Sequence, residues 1–77
     1  MITCNIIEKD VLQTQSCYVW DYNNRPCGVD PISGKFCLWY GEQDYTFQNM
    51  QELFEAKVFD GKSLKQIVGE IKNYGIG

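Results

Sequence analysis

Residues 16–40 read SCYVWDYNNRPCGVDPISGKFCLWY, and this stretch decides the fold class. Its first segment, 16–22, and its last, 35–40, are rich in aromatic and apolar residues that alternate between two faces, as is typical of β-strands. The twelve residues between them contain two prolines and two glycines. We therefore predict two strands separated by a loop over residues 23–34, with turns that begin at Asn24 and Asp30.

Further strand signals flank this stretch on both sides. Residues 2–7, ITCNII, are rich in β-branched side chains, which favours a strand. Residues 8–15 show no clear period and indicate a turn with the start of another strand, and residues 45–47 indicate a short strand. We expect an antiparallel sheet of three or four strands within residues 1–47.

Apolar residues in the C-terminal third follow a helical period instead. In the first set, Met50 is followed three, four and eight positions later by Leu53, Phe54 and Val58. Asn49, just before this set, and Glu52 have the spacing of a capping box, which places the helix start there. We therefore predict a helix over residues 50–58.

A second helical set comprises Leu64, Ile67, Val68 and Ile71. Ser63 and Gln66 have the spacing of another capping box, which places the second helix over residues 64–72. We expect the two helices to form a hairpin packed on one face of the sheet, and the tail NYGIG, residues 73–77, to be irregular. The sequence thus predicts an α+β fold in a single domain, residues 1–77.

Residues 56–63, AKVFDGKS, match the loose phosphate-loop pattern: a small residue, four arbitrary residues, then Gly-Lys-Ser. A phosphate loop follows a buried strand and begins a long helix, whereas the residues before this one are themselves helical in pattern. We interpret Gly61 as a turn residue and Ser63 as a helix cap. An anion contact by Lys62 and Ser63 at the helix start is the functional alternative, and we predict that neither ATP nor GTP binds.

The chain has four cysteines, Cys4, Cys17, Cys27 and Cys37, and no histidine. Zinc sites usually contain closely spaced ligand pairs, but here 12, 9 and 9 residues separate successive cysteines. A nucleophilic Cys or Ser usually relies on a His partner, which is absent. We predict buried or partly exposed free thiols, with disulfides and metal binding as alternatives, and we predict no metal and no other cofactor.

Charge and composition argue against nucleic-acid-binding, membrane-spanning and exported proteins. The formal charge is −3 and Lys and Arg do not cluster, so we expect no nucleic-acid partner. No apolar run approaches the 18 residues of a membrane span, and the start, MITCNIIEKD, lacks the features of a signal peptide. We expect a cytoplasmic protein without a membrane partner. Abundant Asn, Ile, Lys, Gln and Tyr suggest a bacterial or phage genome rich in AT.

Aromatic residues form 14 % of the chain and concentrate in the predicted strands. Because two helices cover only one face of a sheet, an apolar face remains for core filling or for a partner. Tyr and Trp contribute most to protein interfaces. The interface candidates are therefore Tyr18, Trp20 and Tyr22, which share one strand face, and Trp39; we expect only one of these two sets at the surface.

Three functions remain open. The leading hypothesis is a non-catalytic protein-interaction module, such as a regulator, adaptor or phage-type inhibitor, which binds a protein partner or a second copy through the aromatic sheet face. The second is a small thiol- or metal-binding protein that uses some of the four cysteines. The third is an enzyme or small-ligand binder with a site at the sheet edge or under the loop 23–34. No pair of acidic residues has a spacing that requires a shared site, so we predict no catalytic residue.

Overall fold

The computed structural model describes residues 2–77, and Met1, the first residue of the predicted sheet region 1–47, lies outside the described part. Within residues 2–77 the chain forms an antiparallel sheet of five strands and three α-helices. The predicted α+β class is confirmed, but the sheet has five strands instead of three or four. In chain order the elements are α1 (Cys4–Thr14), β1 (Tyr18–Tyr22), β2 (Arg25–Ile32), β3 (Lys35–Tyr40), β4 (Gln43–Phe47), α2 (Met50–Glu55), α3 (Leu64–Ile67), a 3₁₀ turn (Val68–Glu70) and β5 (Lys72–Ile76).

The first four strands form a meander closed by two-residue hairpin turns. The sheet order is β4-β3-β2-β1-β5, so β4 and β5 are the edge strands. The first turn holds Asn23 and Asn24 at φ values of 56° and 61°, and the second holds Ser33 and Gly34 at 50° and 80°, rather than beginning at Asn24 and Asp30 as predicted. Such turns match the right-handed twist of paired strands and fix the register of the meander.

The loop predicted over residues 23–34 was wrong, because most of it is strand β2. Both prolines fit in this strand because neither position needs an N–H group. Backbone groups of successive strand residues point to opposite neighbours. Pro26 O accepts a hydrogen bond of 2.8 Å from Gly41 N at the β3–β4 turn, beyond the last β2–β3 pair. The backbone of Pro31 faces β1, but Pro31 lies two residues past the last β1–β2 pair, so no β1 residue lies opposite its nitrogen.

The strand predicted over residues 2–7 was also wrong, as was the turn and strand start predicted over residues 8–15, because helix α1 covers most of both segments. Thr3 caps the helix, and its side-chain oxygen accepts a hydrogen bond of 3.3 Å from Ile6 N. Ile7 and Val11 lie one turn apart and are both fully buried. Packing of this pair into the core outweighs the strand propensity of the β-branched residues around it.

The tail predicted to be irregular, residues 73–77, contains most of strand β5, which pairs with β1. Gly75 lies opposite Val19. The register shifts just before this pair, where Asn73 has a φ of 52°, so the strand begins with a bulge. Asn73 Nδ2 donates a hydrogen bond of 2.9 Å to Asp21 Oδ2, which ties the start of β5 to β1.

The two C-terminal helices begin where predicted and end earlier. Asn49 Oδ1 accepts a hydrogen bond of 2.8 Å from Glu52 N, so the predicted cap of α2 is confirmed. This helix ends at residue 55 instead of 58, because Ala56 is already extended. Helix α3 ends at residue 67 instead of 72 and passes into the 3₁₀ turn that contains Gly69, a residue that weakens helices.

One face of the sheet, which we call the inner face, lies under all three α-helices. The register places the side chains of Trp20, Val29 and Leu38 on this face, and each is at most 2 % exposed. The buried helical residues belong to the same core as these strand residues. They are Ile7, Val11, Met50, Leu53, Phe54, Leu64 and Ile67.

Candidate functional site

The opposite face of the sheet, the outer face, carries none of the α-helices in the described part of the chain, because the buried residues of each α-helix belong to the inner core. Strand pairing places two rows of residues side by side on it. We call these rows the outer-face patch; the first row is Gly75, Val19, Gly28, Trp39 and Asp44, and the second is Asp30, Cys37 and Thr46.

Trp39 is the largest side chain of the outer-face patch. Gly28 lies opposite Trp39 on the neighbouring strand, and the indole ring occupies the space that a side chain at residue 28 would fill. The ring remains partly exposed, as does Val19 on the next strand. Because residues 28 and 75 are glycines, Val19 and the indole ring are the apolar side chains of the first row.

Acidic residues border this apolar centre. Asp30 lies opposite Cys37 and Asp44 lies opposite Trp39. Partial burial raises the pKa of the Cys37 thiol, and the nearby carboxylates of Asp44 and Asp30 raise this pKa further. The same two carboxylates would attract a cationic group placed over the indole ring.

Trp39 and the set Tyr18, Trp20 and Tyr22 lie on opposite faces of the sheet. Tyr18 and Trp20 are 4 % and 2 % exposed in the inner core, and Tyr22 is partly buried against it. Trp20 Nε1 has no hydrogen-bond partner within residues 2–77, and the ring packs 6.4 Å from Phe59, centroid to centroid. Of the four interface candidates, Trp39 is therefore the one on the face without helices.

The segment 56–63 that resembles a phosphate loop folds as a tight turn. Phe59 and Lys62 exchange backbone hydrogen bonds of 2.9 and 3.1 Å around Asp60 and Gly61, whose φ values are 55° and 86°. Such an Asp-Gly turn suits two successive left-handed residues. The turn inserts the Phe59 ring, which is fully buried, into an aromatic cluster with Trp20, Tyr22 and Tyr40.

Asp60 fixes the same turn to the end of the sheet. Its Oδ2 atom accepts a hydrogen bond of 2.7 Å from Tyr40 Oη and another of 3.2 Å from Asn23 Nδ2. Burial raises the pKa of Tyr40. This segment thus has a structural use. The sequence predicted the turn at Asp60-Gly61 and the cap at Ser63, but not the buried Phe59 ring or the hydrogen bonds of Asp60.

Ser63 caps helix α3 in a complete capping box, as predicted. Its hydroxyl accepts a hydrogen bond of 3.3 Å from Gln66 N, and Gln66 Oε1 accepts one of 2.9 Å from Ser63 N. Both the hydroxyl and the N–H of Ser63 are therefore engaged within the protein. The anion contact by Lys62 and Ser63 stays a prediction.

The cysteines are distributed through the fold, and all four are free. Burial raises the pKa of both Cys4 and Cys27 to about 11, so both thiols are poor nucleophiles near neutral pH. Within the described range, 2–77, no three Cys, Asp or Glu side chains converge to hold a metal ion. The thiol- or metal-binding function stays an alternative prediction.

A polar depression of about 820 Å³ opens at the end of the sheet beside the β1–β2 turn. It lies at one end of the segment 23–34, where a small-ligand site was one hypothesis. Asp21, one of its lining carboxylates, already accepts a hydrogen bond from Asn73. The lining residues are Asp21, Tyr22, Asn23, Asn24, Pro26, Glu70, Lys72 and Asn73.

Sequence reasoning named Trp39 as one interface candidate but did not predict the surface around it. Gly28 was assigned to a loop, and Gly75 to an irregular tail, so neither was placed beside Val19. Glycine is rare in strand interiors and often marks close approach of another group, which is the signal that could have paired Gly28 with an aromatic ring.

No model of a protein family, no curated protein and no solved structure matches this chain. Residues 2–77 include no helix with the length and apolar character needed to cross a bilayer.

Proposed function

We propose that this chain is a non-catalytic protein-interaction module that binds a protein partner through the outer-face patch. The observation that carries the proposal is the position of Trp39, a large aromatic ring that lies over Gly28 on the helix-free face and remains partly exposed. Buried aromatic anchors contribute a large share of interface free energy, because they bury much area with few rotatable bonds. Roles such as regulator, adaptor or inhibitor are consistent with this mode of action.

The border of the patch favours a particular kind of partner. Asp21, Asp30 and Asp44 lie on the outer face, and the lysines of that face, Lys35 and Lys72, lie at the strand ends. A complementary partner presents an apolar side chain that contacts the indole ring, flanked by Lys or Arg. Binding should weaken as salt rises, because exposed charge pairs are screened.

Affinity capture with matched baits tests the proposal. The wild type, Trp39→Ser and Tyr74→Ser are compared as baits in lysate of the source organism, with bound proteins quantified by mass spectrometry. Tyr74 is a suitable control because it is an exposed aromatic residue, at 46 %, on the edge strand and outside the outer-face patch. A true partner is lost with Trp39→Ser and kept with Tyr74→Ser.

The captured partner is then titrated as a purified protein. In a Trp20→Phe background, Trp39 is the only tryptophan, so its fluorescence reports the patch directly. Trp20→Phe removes no hydrogen-bonded polar group within residues 2–77. Binding should shield Trp39 from acrylamide quenching. Partners that bind Trp39→Ser as tightly as the wild type would refute the proposal.

A further inference from the structure

Strand β5 is an edge of the sheet with an apolar free side. Gly77 N donates a hydrogen bond of 3.0 Å to Cys17 O, and Gly75 lies opposite Val19, so the backbone groups of residues 75 and 77 point toward β1. Because successive residues alternate, the N–H and C=O groups of Tyr74 and Ile76 point to the free edge. Unpaired edge groups of this kind are a template for another strand.

Beyond Lys72 and the bulge at Asn73, the side chains of this edge are apolar. Tyr74 and Ile76 are 46 % and 53 % exposed. By the same alternation, the residues of the other edge strand, β4, whose backbone points outward are Asp44 and Thr46. The charge of Asp44 discourages strand addition at β4, whereas the exposed edge of β5 carries only an aromatic and a β-branched side chain at these positions, both of which favour it. The two edge strands therefore differ in the side chains beside their free backbone groups, and β5 is the one suited to pairing with another strand.

We infer that β5 pairs antiparallel with β5 of a second copy of this chain, to give a two-fold symmetric dimer with a continuous ten-stranded sheet. The register centres on Gly75, which lies opposite its own copy. Tyr74 then lies beside Ile76 of the partner subunit, and this pair occurs twice. Both residues supply the outward backbone groups that the pairing needs.

The second copy is favoured as the occupant because the segment Tyr74-Gly75-Ile76 is complementary to itself. Aromatic and β-branched residues are a stabilising cross-strand pair, and in this register each exposed apolar side chain of the edge covers the other. The bulge at Asn73 ends regular pairing on one side. Pairing is thus confined to this segment, and no other antiparallel register covers both side chains.

Sedimentation equilibrium of the full chain tests the association. So short an interface is weak, and we expect dimers at concentrations of about 0.1–1 mM. Ile76→Lys should reduce the association constant at least tenfold. Ile32→Lys is the matched control, because Ile32 is exposed to nearly the same degree, 52 %, but lies at the far end of β2 on the outer face. It should dimerise like the wild type.

A cysteine cross-link tests the register. Residues opposite each other in a non-hydrogen-bonded antiparallel pair have Cα atoms about 4.5 Å apart, within the range of a disulfide. A Cβ atom at Gly75 meets no atom within 4 Å, so Gly75→Cys introduces no clash within the monomer. With the four native cysteines replaced by Ala, it should form covalent dimers under mild oxidation, whereas Thr46→Cys on the opposite edge should not.

Each outcome decides the inference. A wild type that is monomeric at about 1 mM overturns it. So does a dimer that tolerates Ile76→Lys and gives no Gly75→Cys cross-link. Because Trp39 lies on a different surface, loss of this dimer leaves the outer-face proposal untouched, and a dimer abolished by Trp39→Ser alone would instead assign self-association to the outer-face patch.

Discussion

The ring of Trp39 lies against Gly28 of the neighbouring strand so closely that a Cβ atom at residue 28 would overlap it, with Trp39 Cε2 only 2.8 Å away. The absent side chain at residue 28 therefore determines where the indole ring rests. If the ring is the anchor of the outer-face patch, the geometry of the patch depends on this glycine.

We predict that the effect of Gly28→Ala changes sign with the residue at position 39. In the wild type the added methyl group displaces the indole ring, and overpacking of this kind costs about 1–3 kcal/mol. In a Trp39→Ser background the clash is gone. Ala then restricts the unfolded chain more than Gly does and stabilises the fold by about 0.4–1 kcal/mol.

Urea unfolding of the four proteins of this double-mutant cycle measures the coupling between Gly28 and Trp39. Fluorescence in the Trp20→Phe background gives a second readout, since displacement of Trp39 should shift its emission to longer wavelength. Additive effects of the two substitutions would show that the ring does not depend on Gly28.

A second prediction concerns the turn that resembles a phosphate loop. Asp60→Gly keeps the left-handed backbone at φ 55° but removes the acceptor for Tyr40 Oη. The free energy of unfolding should fall by about 1–2 kcal/mol, because a largely buried hydroxyl loses its charged partner. Asp60→Asn retains an acceptor oxygen and tolerates the same backbone, so it should cost less.

Chemical denaturation of Tyr40→Phe, alone and with Asp60→Gly, separates the hydrogen bond from other effects of the turn. With the Tyr40 hydroxyl absent, Asp60→Gly should cost less than in the wild type, because only the hydrogen bond from Asn23 Nδ2 to Asp60 is then lost. An equal cost in both backgrounds would mean that the bond of 2.7 Å between these residues contributes nothing to stability.

Strands β1 and β3 could be predicted because their own residues determine them. In 16–22 and 35–40, alternation and aromatic content agree with the final packing. The segment 23–34 was misassigned because Pro and Gly usually interrupt strands, and only the register shows that the prolines need no N–H donor. Helix α1 was missed because the burial of Ile7 and Val11 depends on a distant sheet face.

The candidate site could be predicted only in part, for a related reason. Alternation shows that Tyr18 and Trp20 share one face of β1, and that residues 37 and 39 share one face of β3. It does not say which of these faces the helices cover. That choice follows from long-range packing of α1 and α2 on the inner face. The outer-face patch also needs Gly75, whose place beside Val19 depends on pairing between distant segments.

A third prediction concerns the buried thiols. Burial raises the pKa of Cys27 from 9.0 to about 11. At pH 9 the thiolate fraction is then roughly 50-fold lower than that of an ordinary thiol, and modification by a disulfide reagent should be slowed by a similar factor. Mass spectrometry after brief labelling identifies the residues modified, and unfolding in urea should abolish the difference.

The same shift gives stability a defined pH dependence. Because the folded state holds the Cys27 proton more tightly than the unfolded state, this contribution is complete below about pH 9 and is lost as pH rises toward 11. The free energy of unfolding should therefore decline over this interval. Cys27→Ala should make the decline shallower, with the contribution of Cys4 left in place, even though it changes the absolute stability; parallel curves for the two proteins would contradict the assignment.

The last prediction concerns Ser63. Ser63→Ala removes the hydroxyl that accepts from Gln66 N and should lower the free energy of unfolding by about 1 kcal/mol, a typical value for loss of a helix cap. Gln66→Ala removes the reciprocal bond and should cost a similar or smaller amount, while Lys62→Ala, at an exposed residue, should cost little. Calorimetric titration with ATP and GTP should show no binding to any of these proteins. Micromolar nucleotide binding that disappears in Lys62→Ala would mean that the turn serves a ligand as well as the fold.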